Sequence, residues 1–170
     1  SVGLKKVTGS PVGTCKLEDF DKCDAIFFFG QNTGSNSPRF LHALQRAVKR
    51  GCKIVTFNPV REKGLIEFVN PQDPGQMLTG SATPISCLYL QVRQGGDIAA
   101  LMGMCKHVLE REDKQWADSK HHLLDVDFIE QHTADFEAFK AKAQTALWED
   151  IEAESGIPRE YLRQAADVYC

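Results

Sequence analysis

Three glycine- or asparagine-bearing turns hold the residue types in this chain that could bind a ligand. Gly30-Gln31-Asn32 follows a short apolar run, and a turn there points backbone N–H groups at an anion such as phosphate. Asn58-Pro59-Val60-Arg61 follows a second apolar run. Asn58 could hydrogen-bond a ribose, and the guanidinium fork of Arg61 matches phosphate geometry. Gly95-Gly96-Asp97 opens an apolar periodic stretch. The Asp97 carboxylate can accept two hydrogen bonds, which suits the N–H and NH₂ edge of a guanine. Each turn also has a plain structural explanation: a tight turn, a strand end with a solvated Arg, and a helix cap. Three of them, each after a strand-like segment, would lie on one edge of a parallel sheet.

The elements that must position them follow from periodicity. Ala25-Ile26-Phe27-Phe28-Phe29 reads as a strand buried on both faces. Ser37 and Pro38 read as the N-cap and first residue of a helix with Phe40, Leu41, Leu44, Ala47 and Val48 on one face, closed by Gly51. Cys52–Phe57 is the next strand, completing a β-α-β unit. Such units take ligands beyond the carboxyl ends of their strands.

Before this unit, Gly9-Ser10-Pro11 and Gly13-Thr14 read as loops and 17–23 as a short helix. After it, 70–83 reads as a long turn-rich loop and Thr83–Val92 as one further strand. Asp97 reads as the N-cap of a helix whose apolar face runs from Ile98 to Leu109. Residues 112–124 read as a polar loop. From Asp125 the pattern is helical, with Phe128-Ile129 in one short helix, Phe136, Phe139 and Ala143 in a second, and Leu147, Trp148 and Ile151 in or after the second. Ser155-Gly156-Ile157-Pro158 breaks it before a last helix over Arg159–Tyr169. The expected organisation is an α/β cofactor-binding domain over 1–124 with a helical extension over 125–170 packed on it.

With 42 % hydrophobic and 25 % charged residues, the 170-residue chain has the composition of an ordinary globular domain. A net charge of −3 gives no basic footprint for nucleic acid or an anionic membrane. No apolar run approaches the roughly 20 residues that cross a bilayer. The six cysteines are scattered without a CxxC pair, which reads as reduced thiols in a cytoplasmic chain. His121-His122 has no carboxylate or Cys at ligand spacing and reads as surface. No P-loop or nucleophile elbow is present. The chain starts at Ser1 without a Met, as a processed product or an excised piece would.

In order, the segments DKCDAIFFFGQNTGSNSPRFLHALQRAVKRGCKIVTFNPVRE, RQGGDIAALMGMCKHVLE, DVDFIEQHTADFEAF and SGIPREYLRQAADVY resemble the molybdopterin oxidoreductases. FIEQHTADFEAF is similar to that family's F-x-x-x-x-T-x-G-F signature. The stretch over 62–92, with NPQDPGQMLTG, is most similar to the formate-dehydrogenase-like YdeP type. The resemblance implies a three-layer α/β/α Rossmann-like domain with a mainly parallel sheet and C-terminal helices. It would hold one molybdopterin guanine dinucleotide of a bis-cofactor molybdenum site.

By match, Gly30, Gln31 and Asn32 face phosphates or ribose, and Asn58, Pro59 and Arg61 flank the guanosine. Asp97 reads the guanine, Gly95 and Gly96 allow close approach, and Gly13-Thr14 matches a loop that also nears the cofactor. Two departures stand out: many members have His where Ser37 stands, and Asp-Pro-Arg where this chain has Asn58-Pro59-Val60.

The metal ligand of relatives falls just before the stretch matching Ser1-Val2-Gly3-Leu4. The chain is therefore expected to be an internal fragment, inactive alone, whose partners are the remaining domains of the same polypeptide. The resemblance also allows an iron–sulfur cluster outside this segment. The alternative is a stand-alone Rossmann-like nucleotide-binding or interaction module.

Overall fold

A computed structural model describes residues 2–170. Helix α1 (Val2–Thr8) is followed by a 3-10 helix (Leu17–Asp21), strand β1 (Ala25–Phe29), α2 (Thr33–Asn36), α3 (Phe40–Lys49) and β2 (Lys53–Phe57). Next come α4 (Lys63–Ile66), β3 (Glu67–Phe68), α5 (Pro74–Thr79), β4 (Thr83–Pro84) and β5 (Leu88–Leu90). The remainder is helical: α6 (Asp97–Ser119), α7 (Val126–His132), α8 (Phe136–Thr145), α9 (Trp148–Ser155) and α10 (Arg159–Tyr169). The fold is mixed α/β.

The central sheet has the order β1-β2-β5, all parallel. Phe29 pairs with Phe57 and Phe57 with Leu90, so the three strands end together. Side chains alternate between two apolar clusters. Val55, Phe57 and Leu90 pack with Ala100, Met104, Trp148, Ile151 and Leu162 from α6, α9 and α10. Ile26 and Ile54 pack with Leu41, Leu44 and Ala47 of α3 and Leu65 of α4. The strands are near-continuous apolar runs because helices cover both sides of them.

Several elements differ from the sequence expectation. The Asn32 side chain accepts from the Ser35 amide and starts the extra turn α2. Ser37 and Pro38 instead contribute a looser turn, with Phe40 N–H donating to Ser37 O and Leu41 N–H to Pro38 O. Helix α3 therefore begins at Phe40 with no side-chain cap.

The 70–83 loop contains α5. Asp73 Oδ1 accepts from the Gly75 and Gln76 amides, and Gly80, at φ 67°, ends the helix. Those residues look like loop chemistry because capping uses the same types. The strand expected over 83–92 divides: Thr83–Pro84 pairs antiparallel with β3, whereas Leu88–Leu90 joins the parallel sheet. Helix α6 runs ten residues beyond Leu109 and takes up 112–119 of the supposed loop. Apart from the buried Glu112, the polar residues there form a largely solvated helix face. Residues 2–8, for which the sequence pattern predicts no element, form α1, which buries none of its residues. The helix expected over 17–23 is a 3-10 helix over Leu17–Asp21.

Residues 125–170 share the first apolar cluster with the sheet through Trp148, Ile151, Leu162 and Ala166. Leu162 is fully buried, whereas Ile98 is 78 % exposed. Leu162→Ala should therefore lower the unfolding free energy by about 2–5 kcal/mol, and Ile98→Ala by less than about 0.5 kcal/mol. Urea denaturation of the two variants checks the contrast.

Candidate functional site

Because β1, β2 and β5 end together, the segments that leave them start side by side. The Gly30 amide donates to Phe57 O at 2.9 Å and the Asn58 amide to Leu90 O at 3.0 Å. These two bonds extend the ladder one residue past the strands and lock the first residues of both turns together. Gly30 has φ 62°, a left-handed conformation that favours glycine. Phe29 and Phe57 stack beneath the turns, centroids 4.7 Å apart.

Asn58 is buried, and its Nδ2 donates to Gln31 O at 3.4 Å. Its Oδ1 accepts no hydrogen bond among the described residues. Asn32 uses Oδ1 to cap α2 and keeps its amide donors free. The next residue, Thr33, is wholly buried, and its hydroxyl has no hydrogen-bond partner among the described residues. Nothing in the sequence pattern marks it.

β5 supports the segment leaving β2. The Tyr89 hydroxyl donates to Val60 O at 2.7 Å and accepts from the Glu62 amide at 2.9 Å. Gln91 Nε2 donates to Pro59 O at 3.3 Å. The Arg61 guanidinium lies over the Tyr89 ring, 5.5 Å from its centroid, and forms no ion pair among the described residues. Gly34 and Gly64 touch, since a Cβ on Gly64 would come within 2.9 Å of Gly34 Cα. Beside that contact, Asn32, Ser35, Glu62 and Lys63 line a hollow of about 400 Å³.

The third turn leaves β5. Gly95 has φ 84°. Gly96, rather than Asp97, takes the N-cap position of α6, so the expected Asp97 cap is not formed. Gly96 has no room for a side chain: a Cβ would meet Glu154 O at 2.6 Å and Ser155 Cα at 2.8 Å. Arg93 holds the same junction, its amide donating to Ser155 O at 2.8 Å and its guanidinium to Ala153 O. Asp97 is left half-buried in the first turn of α6, where the helix end favours negative charge. Its carboxylate accepts no hydrogen bond among the described residues.

The structure thus ties the Gly30-Gln31 turn to the end of β2 through Phe57 and Asn58, with Asn32 next in that turn and Pro59 and Arg61 held against β5. It puts Gly95, Gly96 and Asp97 on the loop leaving the neighbouring strand. Gly13 and Thr14 are exposed in the segment before the 3-10 helix, and no described hydrogen bond ties them to the three turns. The rim can present backbone donors, a free guanidinium and two free acceptor groups.

A larger groove of about 500 Å³ lies along the free edge of β1, between Phe27, Phe29, Leu101, Phe136 and Tyr169. Its walls are apolar and offer nothing to a charged ligand.

The polar segment after α6 holds a cluster that spacing alone hides. His122 Nδ1 lies 2.5 Å from Glu112 Oε1, ten residues upstream. Glu112 Oε2 accepts from the Leu123 and Leu124 amides at 2.6 and 3.0 Å, and Trp116 stacks on His122. The sequence shows no carboxylate at ligand spacing from His121-His122, yet Glu112 meets His122 in space, because the turn after α6 brings the chain back to it. Burial pushes the Glu112 carboxyl up, but His122 and the two amides outweigh this and hold it below its ordinary value of 4.5. Among the described residues no group of three or more His, Cys, Asp or Glu could hold a metal ion. No described helix is long and apolar enough to cross a membrane.

No known protein-family profile matches the chain. It is 43 % identical over 169 residues to protein YdeP of Escherichia coli, covering 99 % of this chain and 22 % of that protein. It is 29 % identical over 168 residues to the alpha subunit of a formate dehydrogenase of Methanococcus maripaludis, covering 99 % of this chain and 21 % of the subunit. The chain therefore spans about a fifth of the length of the curated relatives it matches. Among solved structures, acetylene hydratase from Pelobacter acetylenicus superposes with a TM-score of 0.63 at 24 % identity, over 86 % of this chain and 16 % of that one. That likeness concerns the fold.

Two outcomes follow from the clamp and the acid cluster. Gly96→Ala must displace backbone at the α9 terminus and should cost about 1–3 kcal/mol in urea denaturation. Glu112 titrates below its ordinary value in the folded state, so its contribution is complete above pH 4.5 and is lost as pH falls through the folded-state value. Glu112→Gln should flatten that acid limb while lowering stability at neutral pH. Denaturation curves recorded over a pH series test both parts.

Proposed function

We propose that this chain is the part of a molybdopterin-dependent, formate dehydrogenase-like oxidoreductase that holds the guanosine and phosphate end of one molybdopterin guanine dinucleotide. The observation that carries the reading is the rim. Three turns leave strands that end in register, and each keeps hydrogen-bonding capacity that no described residue uses. The sequence similarity to a formate dehydrogenase alpha subunit supports the oxidoreductase class, and the fold likeness to acetylene hydratase supports the architecture. In this reading the two apolar clusters are the interlayer cores of a three-layer Rossmann-like domain over 1–124, with 125–170 as its helical extension.

The donor and acceptor set fits the group. The backbone amides of Gln31 and Asn32 and the Arg61 guanidinium bind phosphate oxygens. Asn58 Oδ1 accepts from a ribose hydroxyl, and Pro59 shapes that loop. The Asp97 carboxylate accepts from N1–H and the exocyclic NH₂ of guanine, a pair that adenine cannot supply. Gly95, exposed and with open space around it, leaves room for the base, Gly96 seats the loop against α9 so that the base can approach, and Gly13-Thr14 closes over the cofactor from the N-terminal side. The metal–pterin group supplies the redox chemistry when bound. This chain's residues orient its nucleotide end and leave the reacting end to other domains of the parent polypeptide, which are the chain's partners. Formate is the substrate class that the dehydrogenase relative offers.

Charge-assisted hydrogen bonds contribute about 1.5–3 kcal/mol each. Asp97→Ala in the full-length parent should therefore cut bound guanine nucleotide and molybdenum at least several-fold. Nucleotide released by acid and metal content per polypeptide are the measurements. Normal loading of both would overturn the role given to Asp97.

A further inference from the structure

The end of the sheet opposite the rim holds a feature that cofactor binding does not use. Cys23 precedes β1 and Cys52 precedes β2, and their Sγ atoms lie 3.9 Å apart. The strand starts are fixed, since the Lys53 amide donates to Asp24 O at 2.9 Å and Ala25 pairs with Lys53. Continuing that register places Cys23 one position from the residue facing Cys52. Arg50 Nη2 donates to the carbonyls of Cys23 and Phe20 and pins the segment that carries the first thiol. A disulfide needs its sulfurs at about 2.05 Å, so closure takes roughly 2 Å, within reach of side-chain rotation between neighbouring strands.

The two thiols differ in access. Cys52 is 5 % exposed, whereas Cys23 is half-buried. A small cavity of about 260 Å³ opens onto Cys23, with Cys15, Asp19 and Phe20 on its walls, and does not reach Cys52.

We propose that Cys23 and Cys52 form a reversible disulfide under peroxide, a redox-dependent staple across the base of the β1–α3–β2 unit. The Cys23 sulfur attacks one oxygen of hydrogen peroxide. The O–O bond breaks, one water leaves, and Cys23 becomes a sulfenic acid. The Cys52 sulfur then attacks the Cys23 sulfur. The S–O bond breaks, and the hydroxyl leaves with the Cys52 proton as a second water. Both sulfurs are oxidised by one electron each, and the peroxide is reduced to two waters. Burial, first among the causes, and the neighbouring Cys23 push the Cys52 thiol up to about 11. Cys52 is therefore the partner that resolves the sulfenic acid, and it does so slowly. In the structure both are free thiols.

The test takes the fully reduced chain, exposes it to hydrogen peroxide, blocks remaining thiols with an alkylating agent, and maps the unreduced digest by mass spectrometry. The expected result is a peptide pair joined through Cys23 and Cys52, lost on adding dithiothreitol and retained in Cys15→Ser. Because the joined residues enclose the intervening β-α-β segment, oxidation should also raise the melting temperature by roughly 5 °C in the native sequence and not in Cys23→Ser. Mapping the native sequence requires no variant to fold. Recovery of Cys23 and Cys52 as alkylated or over-oxidised single residues, or a Cys15–Cys23 link in their place, would overturn the proposal.

Discussion

Parallel in-register pairing of β1, β2 and β5 is the constraint on which the rest depends. Parallel strands are joined by crossovers, and every segment that leaves a strand starts at the same end of the sheet. Because Phe29, Phe57 and Leu90 are aligned, the starts of the three outgoing segments are aligned too. The Gly30 and Asn58 amides use the next two carbonyls across, so the turns inherit the rigidity of the ladder. A slip of one residue would invert every side chain and move Val55 and Phe57 out of one cluster and Ile54 out of the other. The apolar pattern that fills the two clusters thereby fixes the rim.

The C-terminal helices belong to that rim as much as the strands do. Glycine at 96 lets the β5–α6 loop lie against the carbonyl end of α9, and Gly156, at φ 72°, leaves space for the Arg93 side chain that ties the loop down. Trp148 anchors the other side of this clamp, buried in the core with the guanidinium groups of Arg159 and Arg163 near its ring. Arg159 is in turn held by Glu149 and Glu152. The carboxylate of Asp97 projects from a helix whose first turn is fixed by residues some sixty positions later in the chain.

Elements with an unbroken pattern were legible from sequence. β1 matches its apolar run, α10 matches its period-3.6 stripe, and β2 starts one residue late. The three turns were legible as well, because glycine and asparagine after buried strands have few other uses. What failed did so for physical reasons. Capping residues and loop residues are the same amino acids, so α5 hid inside its own caps. The second half of α6 is polar because it is solvated, and polarity without periodicity reads as loop. Thr33 and the Glu112–His122 pair depend on contacts that local pattern does not encode. The division between β4 and β5 is set by a change of partner between Ser86 and Cys87. The Ile85 and Ser86 amides donate to Ile66 and Leu65 carbonyls, and the Cys87 amide donates to Ile54 O.

The account is specific about geometry, since one ligand must engage all three turns at once. Hydrogen–deuterium exchange on the full-length parent, with cofactor bound and after its removal, addresses this most directly. The account predicts that bound cofactor slows exchange together at residues 30–34, 58–62 and 93–98, while α1 and α5 are unaffected. Slowing at none of these segments, or at only one of the three, would contradict it.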